Sequence, residues 1–435
     1  MLILSLAGAI TSCSGDSSAD ISDLLSTVPN DASAVAAFNL HSIVEKTGSK
    51  IDGSKVVPGK DLQALIEKSS GNSDLSRFIT NDYGIDPEAA VLFVEGQDTY
   101  LTGYLARPDS FRENVQKETS GSFSKEGDVD ICANYAMKGN QFWCRVSHRN
   151  SISASEISRF TSLSEKLSFM SGSYAKELSD LNHDIKGWGN ISGIFNVANM
   201  DFQSKSMARM AIESMFSDGE DIAFHADFEK GKMTSALRIL NSKGKPAKFN
   251  FPTERVDVSV VKNAGASADL IYAMAVSPKM IESLKEQVDG KGISVLGAIM
   301  PALSSLDGTA VVEFSSSSNA ISGVVSTKGE GTAALSDLIS SGLDCTVTKD
   351  GKLLRFSNGS VTGRLSGDAM ADKFKGALFG MVAVPDRFGA ADSGNPLECV
   401  ALMVVSSDSS IELRVEADAK DKKENVLLSL IKAQI

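Results

Sequence analysis

The segment Val28-Pro29-Asn30-Asp31-Ala32-Ser33-Ala34-Val35-Ala36-Ala37-Phe38-Asn39-Leu40 sets the architecture of the chain, because a turn leads directly into an uncharged apolar run. Pro29-Asn30-Asp31 is typical of a turn, and the mixed small and large apolar residues of Ala34–Leu40 predict a buried strand. A similar segment returns later, where Ala266-Ser267-Ala268 precedes the apolar run Leu270–Val276. A helix is predicted after each strand. The second one begins at Pro278, with Ser277 suited to cap it.

Four further pairs of segments repeat in the same order along the chain. They are Ala90–Phe93 with Ala310–Phe314, Val129–Cys132 with Leu343–Cys345, Gly187–Val197 with Gly376–Val384, and Ile222–Ile239 with Cys399–Val415. The separation between matched segments falls steadily from 234 residues (266 minus 32) to 178 (401 minus 223). This steady fall is what an ancestral unit produces when it is copied and its second copy is then shortened.

The order strand, helix, hairpin, helix predicts an α+β fold made of two tandem, duplicated domains of antiparallel hairpins packed with helices. A chain of 435 residues also exceeds what one ordinary core accommodates. We place the domains at residues 24–250 and 255–435, separated by a segment with Lys, Gly and Pro. Within them we expect a strand at Ile191–Val197 and a helix at Asp201–Phe216 whose methionines pack in the core. A last helix, Lys420–Ile431, is expected to cover a sheet face.

The N-terminus carries an apolar run, Leu2–Ala9, followed by Ile10-Thr11-Ser12-Cys13. A short apolar core followed by small residues is typical of a secretory signal and is too short to span a membrane. The pattern resembles bacterial lipoprotein signals, although no Lys or Arg precedes the apolar run. The resemblance implies that residues 1–13 are the signal and that Cys13 is lipidated. Residues 14–23 are then a flexible acidic tether. The alternative is a buried element with an incidental cysteine.

One family shares this order of features. The chain resembles lipoproteins of the Bacteroidota that are known only as a domain of unknown function. The resemblance rests on the lipobox Ile10-Thr11-Ser12-Cys13, on the acidic tether, and on the segment Val28–Val35, which matches Pro-x-Asp-Ala-x-Ala-Val. The resemblance implies an outer-membrane lipoprotein, facing the periplasm or exposed at the surface. It attaches no catalytic residue to the chain.

Charge and motifs narrow the function further. A net charge of −12 argues against a nucleic-acid partner. The partners that we expect are the membrane, which the protein contacts through its N-terminal lipid, and a protein or a glycan. The chain lacks the His-Glu-x-x-His, Cys-x-x-Cys, Gly-x-Ser-x-Gly and phosphate-loop motifs. We therefore predict no catalytic residues, no metal and no cofactor.

The four histidines are isolated candidates for chemistry. They are His41, His148, His183 and His225. His41 and Glu45 share a helix face. His225 and Asp227, two apart on a strand, lie on one sheet face and could act as an acid–base pair. A solvated surface is the favoured interpretation of the first pair, and no nucleophile lies near the second in sequence.

Two pairs of residues complete the candidate sites. Cys132 and Cys144 flank a predicted turn at Lys138-Gly139-Asn140, so they could form a disulfide across one hairpin. Buried free thiols are the favoured alternative. Trp143 and Trp188 could stack on a glycan, with core packing as the commoner role of such residues.

These features together predict a lipid-anchored cell-envelope protein without catalytic activity that acts by binding or assembly. Two alternatives stay open. One is an envelope hydrolase whose site lies between the two halves. The other is a carrier that holds an apolar ligand beneath the helix of Met207–Met215.

Overall fold

The chain is divided into two compact units. A computed structural model describes residues 19–68, 81–146, 151–197, 201–265, 267–282, 300–388, 394–407 and 410–434. The first unit contains the described residues of Met1–Glu213, Asp218–Lys245 and Asp421–Ile435, and the second contains those of Ser214–Ser217 and Pro246–Lys420. The predicted break at 250–255 lies close to the observed one. The C-terminal segment, which the sequence placed in the second domain, belongs to the first.

The first unit holds fourteen of the described strands. They are β1 (Ala19–Asp20), β2 (Ala34–Asn39), β3 (Lys50–Asp52), β4 (Lys55–Val57), β5 (Ile85–Glu95), β6 (Asp98–Leu105), β7 (Ser124–Glu126), β8 (Val129–Cys132), β9 (Tyr135–Lys138), β10 (Gln141–Arg145), β11 (Asp180–Leu181), β12 (Ile185–Asn190), β13 (Asp221–Glu229) and β14 (Lys232–Leu240). Ten of them form one antiparallel sheet in the order β14-β13-β12-β2-β5-β6-β10-β9-β8-β7. Strands β1 and β11 pair separately, as do β3 and β4.

The first unit also contains nine described α-helices, most of which contact its strands. They are α1 (Ser22–Ser26), α2 (Leu40–Lys46), α3 (Lys60–Lys68), α4 (Pro108–Thr119), α5 (Ala154–Thr161), α6 (Ala175–Ser179), α7 (Ile191–Val197), α8 (Phe202–Met215), which ends at the unit boundary, and the C-terminal α12 (Val426–Gln434). Helix α12 packs against β13, β14 and α3, and the Asn425 side chain donates a hydrogen bond to the Phe228 carbonyl at 2.8 Å. These contacts explain why the C-terminus belongs to the first unit.

The core of the first unit is aromatic at its centre. Phe93 stacks on Tyr100 at 5.1 Å between ring centroids, and Phe160 of α5 meets both rings edge-on. Helix α5 begins with a capping box, in which Ser153 and Glu156 satisfy each other's backbone N–H groups. This cap directs the apolar face of α5, with Ile157 and Phe160, onto the sheet.

The second unit is built in the same way. Its strands are β15 (Ser267–Ala268), β16 (Leu270–Val276), β17 (Leu306–Ser315), β18 (Ala320–Thr327), β19 (Thr346–Asp350), β20 (Leu353–Ser357), β21 (Leu365–Ser366), β22 (Ala377–Ala383), β23 (Leu397–Ser407) and β24 (Ser410–Ala419), and its helices are α9 (Val258–Lys262), α10 (Ala333–Leu343) and α11 (Gly367–Met370). Eight strands form an antiparallel sheet in the order β24-β23-β22-β16-β17-β18-β20-β19.

The two sheets share one strand order. Read from β14 and from β24, the first eight strands of each sheet correspond one to one, and β8 and β7 extend only the first sheet. Residues 278–282 are helical, and the Ser277 hydroxyl accepts a hydrogen bond from the Met280 N–H at 3.2 Å. The predicted cap is therefore confirmed. An α+β class with large antiparallel sheets is confirmed as well.

Several local predictions were wrong. The tether predicted at residues 14–23 does not extend to residue 23, because Ala19–Asp20 form β1, Ile21 is 2% exposed and Ser22–Ser26 form α1. Ile191–Val197 is helix α7, because the Asn190 side chain accepts a hydrogen bond from the Gly193 N–H and starts a helix after β12. Met207 and Met210 are 60% and 57% exposed, so they are not core residues. The segments Val129–Cys132 and Leu343–Cys345, which were matched as repeats, are not equivalent strands. Val129–Cys132 is β8, whereas Leu343 is the last residue of helix α10.

Among the described residues, no helix is both long enough and apolar enough to cross a membrane.

Candidate metal centre

Three potential metal ligands come together on the sheet of the first unit. The ligand atoms of His183, His225 and Asp227 all lie within 4.8 Å of one another, and the three residues are half-buried. Nδ1 of His183 is 2.7 Å from Oδ2 of Asp227. The imidazole rings of His183 and His225 are stacked, with centroids 4.0 Å apart and planes 16° from parallel.

The sheet itself brings these residues together. His225 and Asp227 lie two apart on β13, and alternation along a strand therefore places them on one face. His183 lies in the loop between β11 and β12. Because Ile185 at the start of β12 pairs with Ala226 of β13, this loop runs beside the strand that carries the other two ligands.

A buried carboxylate next to His183 fixes the loop. Asp184 is 1% exposed and accepts hydrogen bonds from the Phe228 N–H at 2.7 Å and the Ser42 hydroxyl at 2.6 Å. Lys46 of α2 donates to both of its oxygens at 2.9 Å. The Asp184 N–H in turn donates to Oδ1 of Asp227 at 3.2 Å. Asp184 thus holds both the loop and one ligand in place.

The electrostatics favour a charged Asp227. Burial by itself would raise the pKa of this carboxyl, but the hydrogen bond and charge of His183, the Asp184 N–H and the charge of Lys46 lower the pKa overall. The pKa of Lys46 is lowered by burial and raised more strongly by Asp184 and Glu229. Asp227 is therefore an anion at neutral pH, the form in which a carboxylate binds metal.

The sequence pointed to only part of this cluster. It singled out the pair His225 and Asp227, but the hydrogen bond from a histidine to Asp227 comes from His183, 42 residues before His225. No local pattern links that loop to β13, so only the strand pairing could have revealed it. His41, which the sequence paired with Glu45, instead contacts Glu88, with its Nδ1 at 3.1 Å from the Glu88 carboxylate. His148 lies outside the described residues.

The possible disulfide between Cys132 and Cys144 is not formed, in agreement with the favoured alternative of free thiols. Cys132 and Cys144 are both free, because β9 lies between the strands that carry them. Both cysteines are paired with the same residue, Tyr135, from opposite sides. Two strand spacings separate their backbones by about 9.5 Å, which exceeds the roughly 7 Å limit for a disulfide. Burial and the charge of Glu118 raise the pKa of the Cys144 thiol to about 12.

The two tryptophans belong to the packing of the first unit. Trp143 is 0% exposed, so it offers no face to a glycan and has the core role that is commoner for such residues. Trp188 is half-buried. Its ring meets Phe169 edge-on at 5.5 Å, and it donates a hydrogen bond to Asp221. Cys13, the predicted lipidation site, lies outside the described residues.

A pocket of about 290 Å³ lies against helix α8. Its lining includes Asn190, Arg209, Ile212, Glu213 and Asp221. Charged and amide side chains thus dominate it, whereas the carrier hypothesis expected methionines in this place.

Comparisons with known proteins add little. No family model matches the chain, and no curated protein matches it in sequence. Among solved structures, crystal form I of TP0453 is similar with a TM-score of 0.29 and 9% identity over 80% of this chain and 94% of that one. Crystal form III of TP0453 has a TM-score of 0.31 and 10% identity over 80% of this chain and 96% of that one. Similarities this weak carry no conclusion about fold or function.

Proposed function

We propose that the protein is a lipid-anchored component of the bacterial cell envelope that acts by binding or assembly, without catalysis. The observation that carries this proposal is the lipobox Ile10-Thr11-Ser12-Cys13 directly after the apolar run Leu2–Ala9. The polar residues Ser14-Gly15-Asp16-Ser17-Ser18, which follow the cysteine, support a short tether between the anchor and β1. We place the protein in the outer membrane, facing the periplasm or exposed at the surface.

We further infer that the two units arose by tandem duplication. The register of their central strands supports this inference. Ala34 of β2 pairs with Val94 on one side and Gly189 on the other, as Leu270 of β16 pairs with Phe314 and Ala383.

The hydrogen bonds just before these strands repeat as well. In the first unit, the Ser33 N–H donates to Val94 at 2.8 Å, and the Asn190 N–H donates to the Ser33 carbonyl at 2.9 Å. In the second unit, Asp269 takes the place of Ser33: its N–H donates to Phe314 and its carbonyl accepts from the Val384 N–H, both at 2.9 Å. Two units that share strand order and register offer two related surfaces for a protein or glycan partner.

Purification from native membranes with the anchor intact tests this function. We expect wild-type protein in the membrane fraction together with one stoichiometric protein or glycan. The matched variant Cys13→Ala should leave the membrane fraction because it cannot be acylated. Turnover of envelope polymers or esters by the purified wild-type protein would overturn the non-catalytic part of the proposal. Membrane retention of Cys13→Ala would overturn the anchor.

A further inference from the structure

We propose that His183, His225 and Asp227 bind one divalent transition-metal ion of the Zn²⁺ or Cu²⁺ type. This site goes beyond the proposed function, because it requires neither the lipid anchor nor a partner. It lies entirely within the first unit.

The ligand geometry is close to what such an ion requires. Tetrahedral Zn²⁺ holds nitrogen and oxygen ligands at about 2.0–2.2 Å, so neighbouring ligand atoms are about 3.3 Å apart. The three ligand atoms here lie within 4.8 Å of one another. The closest pair, Nδ1 of His183 and Oδ2 of Asp227 at 2.7 Å, would open by a few tenths of an ångström around an ion, while the wider separations would close.

The ligand types select the class of ion. Two imidazoles and one carboxylate suit Zn²⁺, Cu²⁺ or Ni²⁺, whereas Mg²⁺ and Ca²⁺ prefer all-oxygen sites. Three protein ligands leave a further position for water or for a group from another molecule.

The surrounding charges permit a cation at this place. Lys46 is engaged by Asp184 and by Glu229, which it contacts at 3.0 Å. Lys186, which pairs with His225 across the sheet, directs its ammonium group to the carbonyl oxygens of Glu177 and Asp180. Both of these ammonium groups thus already have anionic or carbonyl partners, while Asp227 contributes a negative charge to the site.

The backbone around the ligands is also fixed. Metal-binding carboxylates are usually oriented by hydrogen bonds from a second layer of residues. Here the Asp184 N–H donates to Oδ1 of Asp227, and Asp184 is itself held by Ser42, Lys46 and the Phe228 N–H. A metal on Oδ2 would replace the present contact with His183.

Titration calorimetry with ZnCl₂ and CuCl₂ on the untagged full-length protein tests the proposal. We expect one equivalent of at least one metal to bind. His225→Ala should weaken binding at least tenfold. Asp227→Asn, which keeps the side-chain shape, should do the same and covers the case in which the histidine variant misfolds.

His41→Ala is the matched control. His41 also contacts a carboxylate, that of Glu88, on the surface of the same unit, and among the residues that the structure describes no third metal-binding side chain joins this pair. This variant should bind metal as tightly as the wild type. Co²⁺ added to the wild type should give a visible absorption band that Asp227→Asn lacks. The proposal is overturned if the wild type binds no stoichiometric metal, or if both ligand variants bind as tightly as His41→Ala.

Discussion

Replacing Asp184 with alanine removes the carboxylate that organises the loop before β12. The Phe228 N–H and the Ser42 hydroxyl are then left buried without this acceptor. Each such loss costs about 1–3 kcal/mol. Lys46 keeps its contact with Glu229. Its charge therefore adds less to the loss of stability than an isolated buried ion would. We therefore expect the free energy of unfolding of the first unit to fall by about 3–5 kcal/mol, within the range for breaking a buried ion pair.

Urea unfolding followed by tryptophan fluorescence measures this change. The only two tryptophans, Trp143 and Trp188, both lie in the first unit, so the signal reports on that unit. The midpoint of thermal unfolding should fall by about 6–20 °C. A double-mutant cycle with Lys46→Met isolates the energy of the ion pair.

Glu213→Ala provides the control. It breaks the contact with Arg209, an ion pair of similar length, 2.8 Å, between two exposed side chains on α8. This change should cost less than about 0.5 kcal/mol. If Asp184→Ala cost no more than Glu213→Ala, the claim that Asp184 holds the loop would be refuted.

Three further predictions concern other residues. The lowered pKa of Asp227 stabilises the fold above the ordinary carboxyl pKa, and this stability is lost as pH falls through the lowered value. The wild type should therefore be about 1–2 kcal/mol more stable than Asp227→Asn at pH 7, and this difference should shrink below about pH 5 in urea titrations. A difference that stays constant with pH would contradict the prediction. Unfolded without reductant, Cys132, Cys144, Cys345 and Cys399 should all react with a thiol reagent, and recovery of two thiols only after reduction would reveal a disulfide. Gly187→Ala places a methyl group against the Phe224 ring and should lower the free energy of unfolding by about 1–3 kcal/mol. Gly342→Ala, in open space on α10, should raise it by up to about 1 kcal/mol. Thermal unfolding followed by circular dichroism measures both variants, and equal effects would contradict the packing around Gly187.

The sequence predicted best where one local signal was sufficient. The apolar run after Pro29-Asn30-Asp31 became β2, and Ser277 became a cap, because turn chemistry and capping depend on neighbours in the chain. Ile191–Val197 was misassigned for a similar reason: its apolar content suits a strand, and the deciding contact comes from the side chain of Asn190.

The parts that the sequence did not reveal depend on strand pairing. An added strand, β9, separates Cys132 from Cys144, and nothing in the turn at Lys138–Asn140 shows this. His183 joins His225 and Asp227 only because β12 pairs with β13. The exposed Met207 and Met210 show a further limit, since apolar spacing on a helix does not establish which face is covered.

The most direct test of the proposed anchor is the mass of the mature N-terminus from the native host. Mass spectrometry of the membrane-extracted protein should find an N-terminal peptide that begins at Cys13 and carries acyl chains. A peptide that still contains residues before Cys13, with its thiol unmodified, would contradict the account.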